Sequence, residues 1–268
     1  MMRRTLLGAL LLGITATALL GCSPMQPAPS ARPAPLRVGV TSSSPPFAFR
    51  QAGSIVGLDV DFARELAQIL GRPLQLVDLP WDEQIPALLA GRTDIIMSGM
   101  TITRARQVRI AFGDPYLRSG LMALIRRGDV ARYPSPESVL KCTAHIAVVG
   151  GTTGERFVRE RCAPMPIGVY PTAEAAAQEV LQNRVDLLVH DAPVVLWLVS
   201  GDEANLAPLL KLLNEEQLGW GLRQTDEDLR NAANGALAGW RTDGTRARIL
   251  GRWLPYWQRL EAGGEKQP

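Results

Sequence analysis

The sequence predicts an α/β protein built from two similar lobes, and three observations carry that prediction. Over residues 36–260, short aliphatic runs alternate with amphipathic stretches, the pattern of parallel strands joined by helical crossovers. One segment recurs. Leu89-Ala90-Gly91-Arg92-Thr93-Asp94-Ile95-Ile96-Met97 matches Leu181-Gln182-Asn183-Arg184-Val185-Asp186-Leu187-Leu188-Val189, ninety-two residues further on. The chain has 268 residues, 46% of them hydrophobic and 21% charged, which suits two packed cores and excludes a disordered or fibrous protein.

The elements follow in order. Residues 36–40 form a strand, and Gly57-Leu58-Asp59 opens a helix with Leu58, Phe62, Leu66, Ile69 and Leu70 on one face, stopped by Gly71 and Pro73. A strand at 74–77, a helix at 82–90 and a strand at 94–97 continue the alternation. The second half repeats the plan with a strand at 145–149, a helix at 153–161, a strand at 167–170, a helix at 173–182 and a strand at 185–189. Gly91 and Asn183 stand at matching helix ends, where a left-handed residue is needed and these two types accept it most readily. Residues 220–222 read as a strand, followed by helices at 226–240 and 245–254. One strand and two helices seldom make a domain, so the chain is expected to cross back and complete the first lobe. That gives lobe I as 36–121 plus 219–260 and lobe II as 122–218.

The start has a different character. Arg3 and Arg4 precede sixteen uncharged residues, Thr5 to Leu20, and then Leu19-Leu20-Gly21-Cys22. This is the pattern of a secretory signal over residues 1–21, too short and too dilute for a membrane-spanning helix. Its ending resembles a bacterial lipobox, which implies cleavage before Cys22 and a lipid on its sulfur. Residues 22–35, with five prolines between Ser23 and Pro35, would form an extended tether. After Trp257 the ending is polar, and no appended catalytic or signalling domain is expected there.

Composition narrows the chemistry. Lys and Arg exceed Asp and Glu by 29 to 26, and removal of Arg3 and Arg4 brings the net charge near +1, which argues against nucleic acid as a partner. Two histidines and three cysteines, none at metal-ligand spacing, supply no ligand set for structural zinc or haem. No cofactor is expected. Cys142 and Cys162 bracket one strand-helix unit, and export favours a disulfide between them, contributing about 3 kcal/mol in the chain-entropy model. Two buried thiols are the alternative.

In open α/β sheets ligands collect beyond the carboxyl ends of the strands, so the residues after each repeated strand come first: Ser98-Gly99-Met100-Thr101 and His190-Asp191. Thr101-Ile102-Thr103-Arg104-Ala105-Arg106 brings hydroxyls, amides and a guanidinium into one turn, a set that suits a carboxylate. The competing reading is a solvated basic run, since Arg104, Arg106 and Arg109 lie close together. Gly150-Gly151-Thr152-Thr153-Gly154 joins a strand to a helix and offers amides to an anion, with Thr153 as cap; it fits neither a P-loop nor a dinucleotide fingerprint. Asp191 either caps the following helix or neutralises a ligand ammonium. His190 reads as structural or rim-lying, because no serine or cysteine nucleophile accompanies it.

Several stretches together resemble the periplasmic solute-binding proteins of the polar amino acid type, family 3, over nearly all of 36–257: Pro45-Pro46-Phe47, Gly57-Leu58-Asp59-Val60-Asp61, Trp81 to Leu88, Met100 to Arg106, Asp114-Pro115-Tyr116 and Gly151-Thr152-Thr153-Gly154. The resemblance implies the type II two-lobe fold of these proteins, each lobe a mostly parallel sheet flanked by helices, with two hinge crossovers that close on a ligand. It also implies delivery to an ABC permease by a lipid-anchored, periplasmic monomer. By that resemblance Arg106 would clamp a ligand carboxylate with Thr101 and the amide of Thr153. The carbonyl of Gly99 and the carboxylate of Asp191 would hold an ammonium, and Trp81 would be an aromatic platform. Ser44 stands where many relatives carry a second aromatic, and Thr41 where binders of basic amino acids carry an aspartate. This points to an uncharged or polar L-amino acid or derivative.

Two other functions share the resemblance. Cyclohexadienyl dehydratases have this fold and need a general acid in the cleft. The helix after Asp191 is aliphatic as far as Asp202, so the acid would have to come from elsewhere, such as Glu155. A sensor module of a kinase or lytic transglycosylase would need a partner domain not found in this chain.

Overall fold

The computed structural model describes residues 33–255 apart from Cys142 and Ala163. The expected signal, the Cys22 lipid site and most of the tether therefore lie outside the described residues. So does Cys142, and its pairing with the buried Cys162 remains a proposal.

The chain opens with β1 (Leu36–Val40) and a meander of β2 (Ser43–Ser44), β3 (Ala48–Gln51) and β4 (Ser54–Val56), then α1 (Leu58–Ile69) and β5 (Leu74–Asp78). A 3₁₀ turn, Trp81–Glu83, leads into α2 (Gln84–Leu89), followed by β6 (Ile95–Ile96), the single turn α3 (Arg104–Gln107) and β7 (Ala111–Phe112). Next come β8 (Leu117–Ser119), β9 (Leu121–Arg126), α4 (Pro136–Leu140), β10 (Ile146–Val149), α5 (Thr153–Arg161) and β11 (Ile167–Tyr170). The chain continues through α6 (Ala173–Leu181), β12 (Leu187–Asp191), α7 (Ala192–Gly201), β13 (Leu206–Pro208) and β14 (Glu216–Leu218), and ends with β15 (Gly221–Leu222), α8 (Glu227–Thr242) and α9 (Thr245–Trp253).

Two five-stranded sheets result, in the orders β5-β1-β6-β15-β7 and β11-β10-β12-β9-β13. They share a plan. In each, the second strand is flanked by two parallel neighbours, β1 by β5 and β6, β10 by β11 and β12. The remaining pairings are antiparallel: β15 with β6 and β7, and β9 with β12 and β13. An antiparallel ribbon, β8 with β14, places Glu216 opposite Ser119 and Leu218 opposite Leu117. In chain order β8 lies between β7 of the first sheet and β9 of the second, and β14 between β13 of the second and β15 of the first. We propose the lobe boundaries 36–121 with 219–260, and 122–218, on this arrangement.

The repeated segment does the same work in both sheets. Gly91 and Asn183 carry φ of 70° and 58°, and each terminates a helix whose next strand, β6 or β12, is the central one of its sheet. The aspartates of the repeat then tie those strands together. Asp94 takes the N–H of Arg37 at 3.0 Å and Asp186 that of His145 at 2.7 Å. Each gives its own N–H back, to the carbonyls of Arg37 and His145. Asp94 also meets the guanidinium groups of Arg37 and Arg72, which hold its carboxyl below the usual range although burial opposes them.

Behind the first sheet Phe62, Tyr116, Trp220 and Trp240 pack ring against ring at 5.4–6.1 Å. The carboxylate of Asp59 is fully buried among them. It accepts the N–H of Gly99 at 2.6 Å, the hydroxyl of Tyr116 at 3.1 Å and the indole N–H of Trp220 at 3.3 Å. Burial nevertheless pushes its pKa up to about 6, against the lowering effect of those three bonds. No helix of the described residues is long and apolar enough to cross a membrane.

Candidate functional site

Between the ends of β1, β6, β10 and β12 lies a narrow cavity of about 40 Å³. Every residue singled out in the sequence for ligand binding lines it: Ser44, Trp81, Gly99, Thr101, Arg106, Thr153 and Asp191. The rest of the wall is mostly small and uncharged, including Thr41, Ser98, Thr172 and Ala173, with Phe47 and His190 the larger additions.

Arg106 reaches the cavity because α3 is capped by Thr103, whose hydroxyl accepts the Arg106 N–H at 3.2 Å. Its guanidinium donates to the carbonyl of Thr101 at 2.8 Å and to that of Gly151 at 3.5 Å. Arg104 and Arg109 are exposed, so the basic run divides into one cleft residue and two solvated ones. The Trp81 ring carries the Arg106 guanidinium at 5.1 Å, and its indole N–H donates to Gly151 at 3.1 Å. In this arrangement Trp81 is a platform for the arginine.

Asp191 is the last residue of β12, so the strand runs two residues past the predicted end at 189. Its side chain makes no capping bond to α7. The carboxylate is buried, and Oδ1 has no hydrogen-bond partner among the described residues. A buried acceptor left open in this way costs free energy unless a donor comes to it. His190, buried and not at the rim, accepts the Asp191 N–H on Nδ1 at 2.7 Å. A nitrogen that accepts has no proton to give the carboxylate oxygen 3.1 Å away.

The glycine turn differs from the prediction by one residue. Thr152, not Thr153, caps α5, accepting the Glu155 N–H at 3.3 Å. Thr153 is thereby released, and its hydroxyl donates to Oε2 of Glu216 at 3.1 Å. Thr101 donates to the same oxygen at 3.1 Å, and Asn214 donates to Oε1 at 3.1 Å. Burial and then the charge of Asp191 raise the Glu216 pKa, while the three hydrogen bonds lower it. Sequence reasoning missed Glu216. It sits in a polar run, Asn214-Glu215-Glu216-Gln217, whose pattern gives no hint that residues 101 and 153 converge on it.

Glu155 does not line the cavity. It accepts the Gly151 N–H at 2.7 Å and pairs with Arg159 at 2.8 Å, contacts that hold its carboxyl below the usual range despite partial desolvation. A group kept ionised in this way is a poor general acid.

A two-sheet molecule with a cavity between its lobes, and on its wall an arginine and a carboxylate with one oxygen left open, is the architecture of a small-ligand binding protein. Comparison makes this specific. Residues 36–256 match the family of bacterial extracellular solute-binding proteins, family 3, and the chain belongs to that family. It therefore acts outside the cytoplasm. It is 28% identical to an L-cystine-binding protein of Escherichia coli (strain K12) over 82% of each chain. It is 33% identical to a cyclohexadienyl dehydratase of Pseudomonas aeruginosa (strain PAO1) over 59% of each. Among solved structures, an ancestral amino acid-binding protein described as a precursor of cyclohexadienyl dehydratase superposes with a TM-score of 0.76 and 34% identity, covering 82% of this chain and 95% of that one.

Proposed function

We propose that this protein captures a small zwitterion, an uncharged or polar L-amino acid or a derivative of one, and passes it to an ABC permease. The observation that carries the reading is that Arg106 and the open, buried carboxylate of Asp191 line one cavity. A guanidinium offers paired donors to a carboxylate, and a carboxylate together with the Gly99 carbonyl offers acceptors to an ammonium. Ser44 and Thr41 add no charge where a ligand side chain would extend, which favours uncharged ligands over lysine, arginine or histidine. Anchoring through Cys22, a Cys142–Cys162 disulfide and a monomeric state belong to the same reading.

The dehydratase alternative draws on the relatives that carry that activity or lead to it. Neither Glu155 nor Glu216 lines the cavity. Glu155 is tied to Gly151 and Arg159, and Glu216 stands behind the hydroxyls of Thr101 and Thr153. Steady turnover of prephenate or arogenate by the purified protein would decide for the enzyme.

A thermal-shift panel of the twenty amino acids, betaines, opines and prephenate tests the binding reading, because a ligand that binds only the folded form raises apparent stability. At least one amino acid should shift the transition, and Arg106→Ala should weaken that ligand at least about 100-fold while leaving the apo transition nearly unchanged. Retained micromolar binding by the variant would refute the carboxylate assignment.

A further inference from the structure

We propose that Glu216 is a positioning residue that sets the cleft's selectivity, by fixing the hydroxyls of Thr101 and Thr153 as acceptors and so favouring ligands with an ammonium beside their carboxylate over plain carboxylic acids. The proposal rests on the binding reading above and deepens it.

A threonine hydroxyl has one proton. Both cleft hydroxyls spend it on the same oxygen of Glu216, Thr101 from the side of the first sheet and Thr153 from the side of the second, each at 3.1 Å. The carboxylate is held for this task. Asn214 donates to its other oxygen, while the Asn214 Oδ1 accepts the N–H of Leu121 at 2.7 Å. Leu121 in turn is the register partner of Asp191. One hydrogen-bonded chain thus runs from both threonines through Glu216 and Asn214 to Leu121 of β9, the strand paired with the one that carries Asp191.

With their protons committed, the hydroxyls of Thr101 and Thr153 can only accept from a ligand, so on this proposal the Thr101 hydroxyl does not help Arg106 hold a carboxylate as the family resemblance implied. Together with Asp191 and the Gly99 carbonyl they leave the cavity rich in acceptors, with Arg106 its one cationic side chain among the lining residues. An ammonium, with three donors and no acceptor, satisfies that surplus. A monocarboxylate without an amine leaves acceptors unpaired, at the cost of buried polar groups without partners. Replacing Glu216 by glutamine turns one end of the side chain into a donor and frees at least one hydroxyl proton for an anion.

The test is calorimetric. The amino acid that binds best in the thermal-shift panel and its des-amino analogue are titrated into wild type and Glu216→Gln, each checked by circular dichroism. The ratio of the two affinities should be large in wild type and fall about tenfold or more in the variant, chiefly through tighter binding of the analogue. Thr153→Val provides a second probe should Glu216→Gln fail to fold. It removes one acceptor, so it should weaken the amino acid and leave the analogue unchanged. Amino acid binding with the ratio within about twofold of wild type in a folded Glu216→Gln, or equal losses for both ligands in Thr153→Val, would overturn this proposal alone. Absence of amino acid binding by wild type would overturn the functional reading and this proposal with it.

Discussion

At the scale of single residues, two carboxylates outside the expected ligand set organise the site, Asp59 fully buried and Glu216 half-buried. Asp59 holds the Gly99 peptide from within the aromatic core, and its raised pKa has a thermodynamic consequence. Between the ordinary value of 3.8 and about 6, the folded state binds more protons at Asp59 than the unfolded state does. Stability from this group is therefore present at low pH and lost as pH rises through that window. Measured by denaturant unfolding, wild type should lose ground relative to Asp59→Asn between pH 4 and pH 6, by about 2 kcal/mol. A constant difference across that range would show that Asp59 is not desolvated as described. Glu216 and Asp59 also show what the sequence could not disclose. The cavity-lining residues were legible because their chemistry is local: a guanidinium on a turn after a strand, a carboxylate at a strand end, a glycine-threonine helix start. The role of Glu216 exists only when residues 101, 153, 214 and 216 are brought together, and no spacing encodes that. Trp81 was legible as a cleft aromatic but not as the seat of Arg106, since the stacking depends on how α3 is set down.

At the scale of elements, the repeated segment was the most informative signal. Helix termination by Gly91 and Asn183 follows from backbone sterics alone, and both residues adopt the left-handed region. A Cβ at Gly91 would meet nothing within 4 Å, so the cost of Gly91→Ala is conformational only, about 1 kcal/mol. Asn183→Gly should be close to neutral, because asparagine already tolerates this region. Thermal or denaturant unfolding distinguishes the pair, and equal costs would contradict the shared role. Long amphipathic helices and parallel strands were readable from periodicity. The two- and three-residue strands β2, β4, β7, β8, β13 and β14 were not, because so few residues display no alternation, and their pairing is decided by tertiary contact. The strand expected at 185–189 also slid to Leu187–Asp191, since its aliphatic run has no marker for where pairing begins.

At the scale of the molecule, the two sheets meet through bonds that span the cleft. Trp81 and Arg106 both reach the Gly151 carbonyl, and Glu216 links Thr101 to Thr153. These contacts join the walls of the cavity in a way a bound zwitterion would extend, with its carboxylate on Arg106 and its ammonium on Asp191. The most direct test is calorimetric titration of wild type with the best-binding amino acid and with two analogues, one lacking the carboxylate and one lacking the amine. Each deletion should weaken binding about 100-fold or more, as expected for losing charge-assisted hydrogen bonds at a buried partner. Either analogue binding as tightly as the parent amino acid would contradict the two-ended grip on which the functional reading stands.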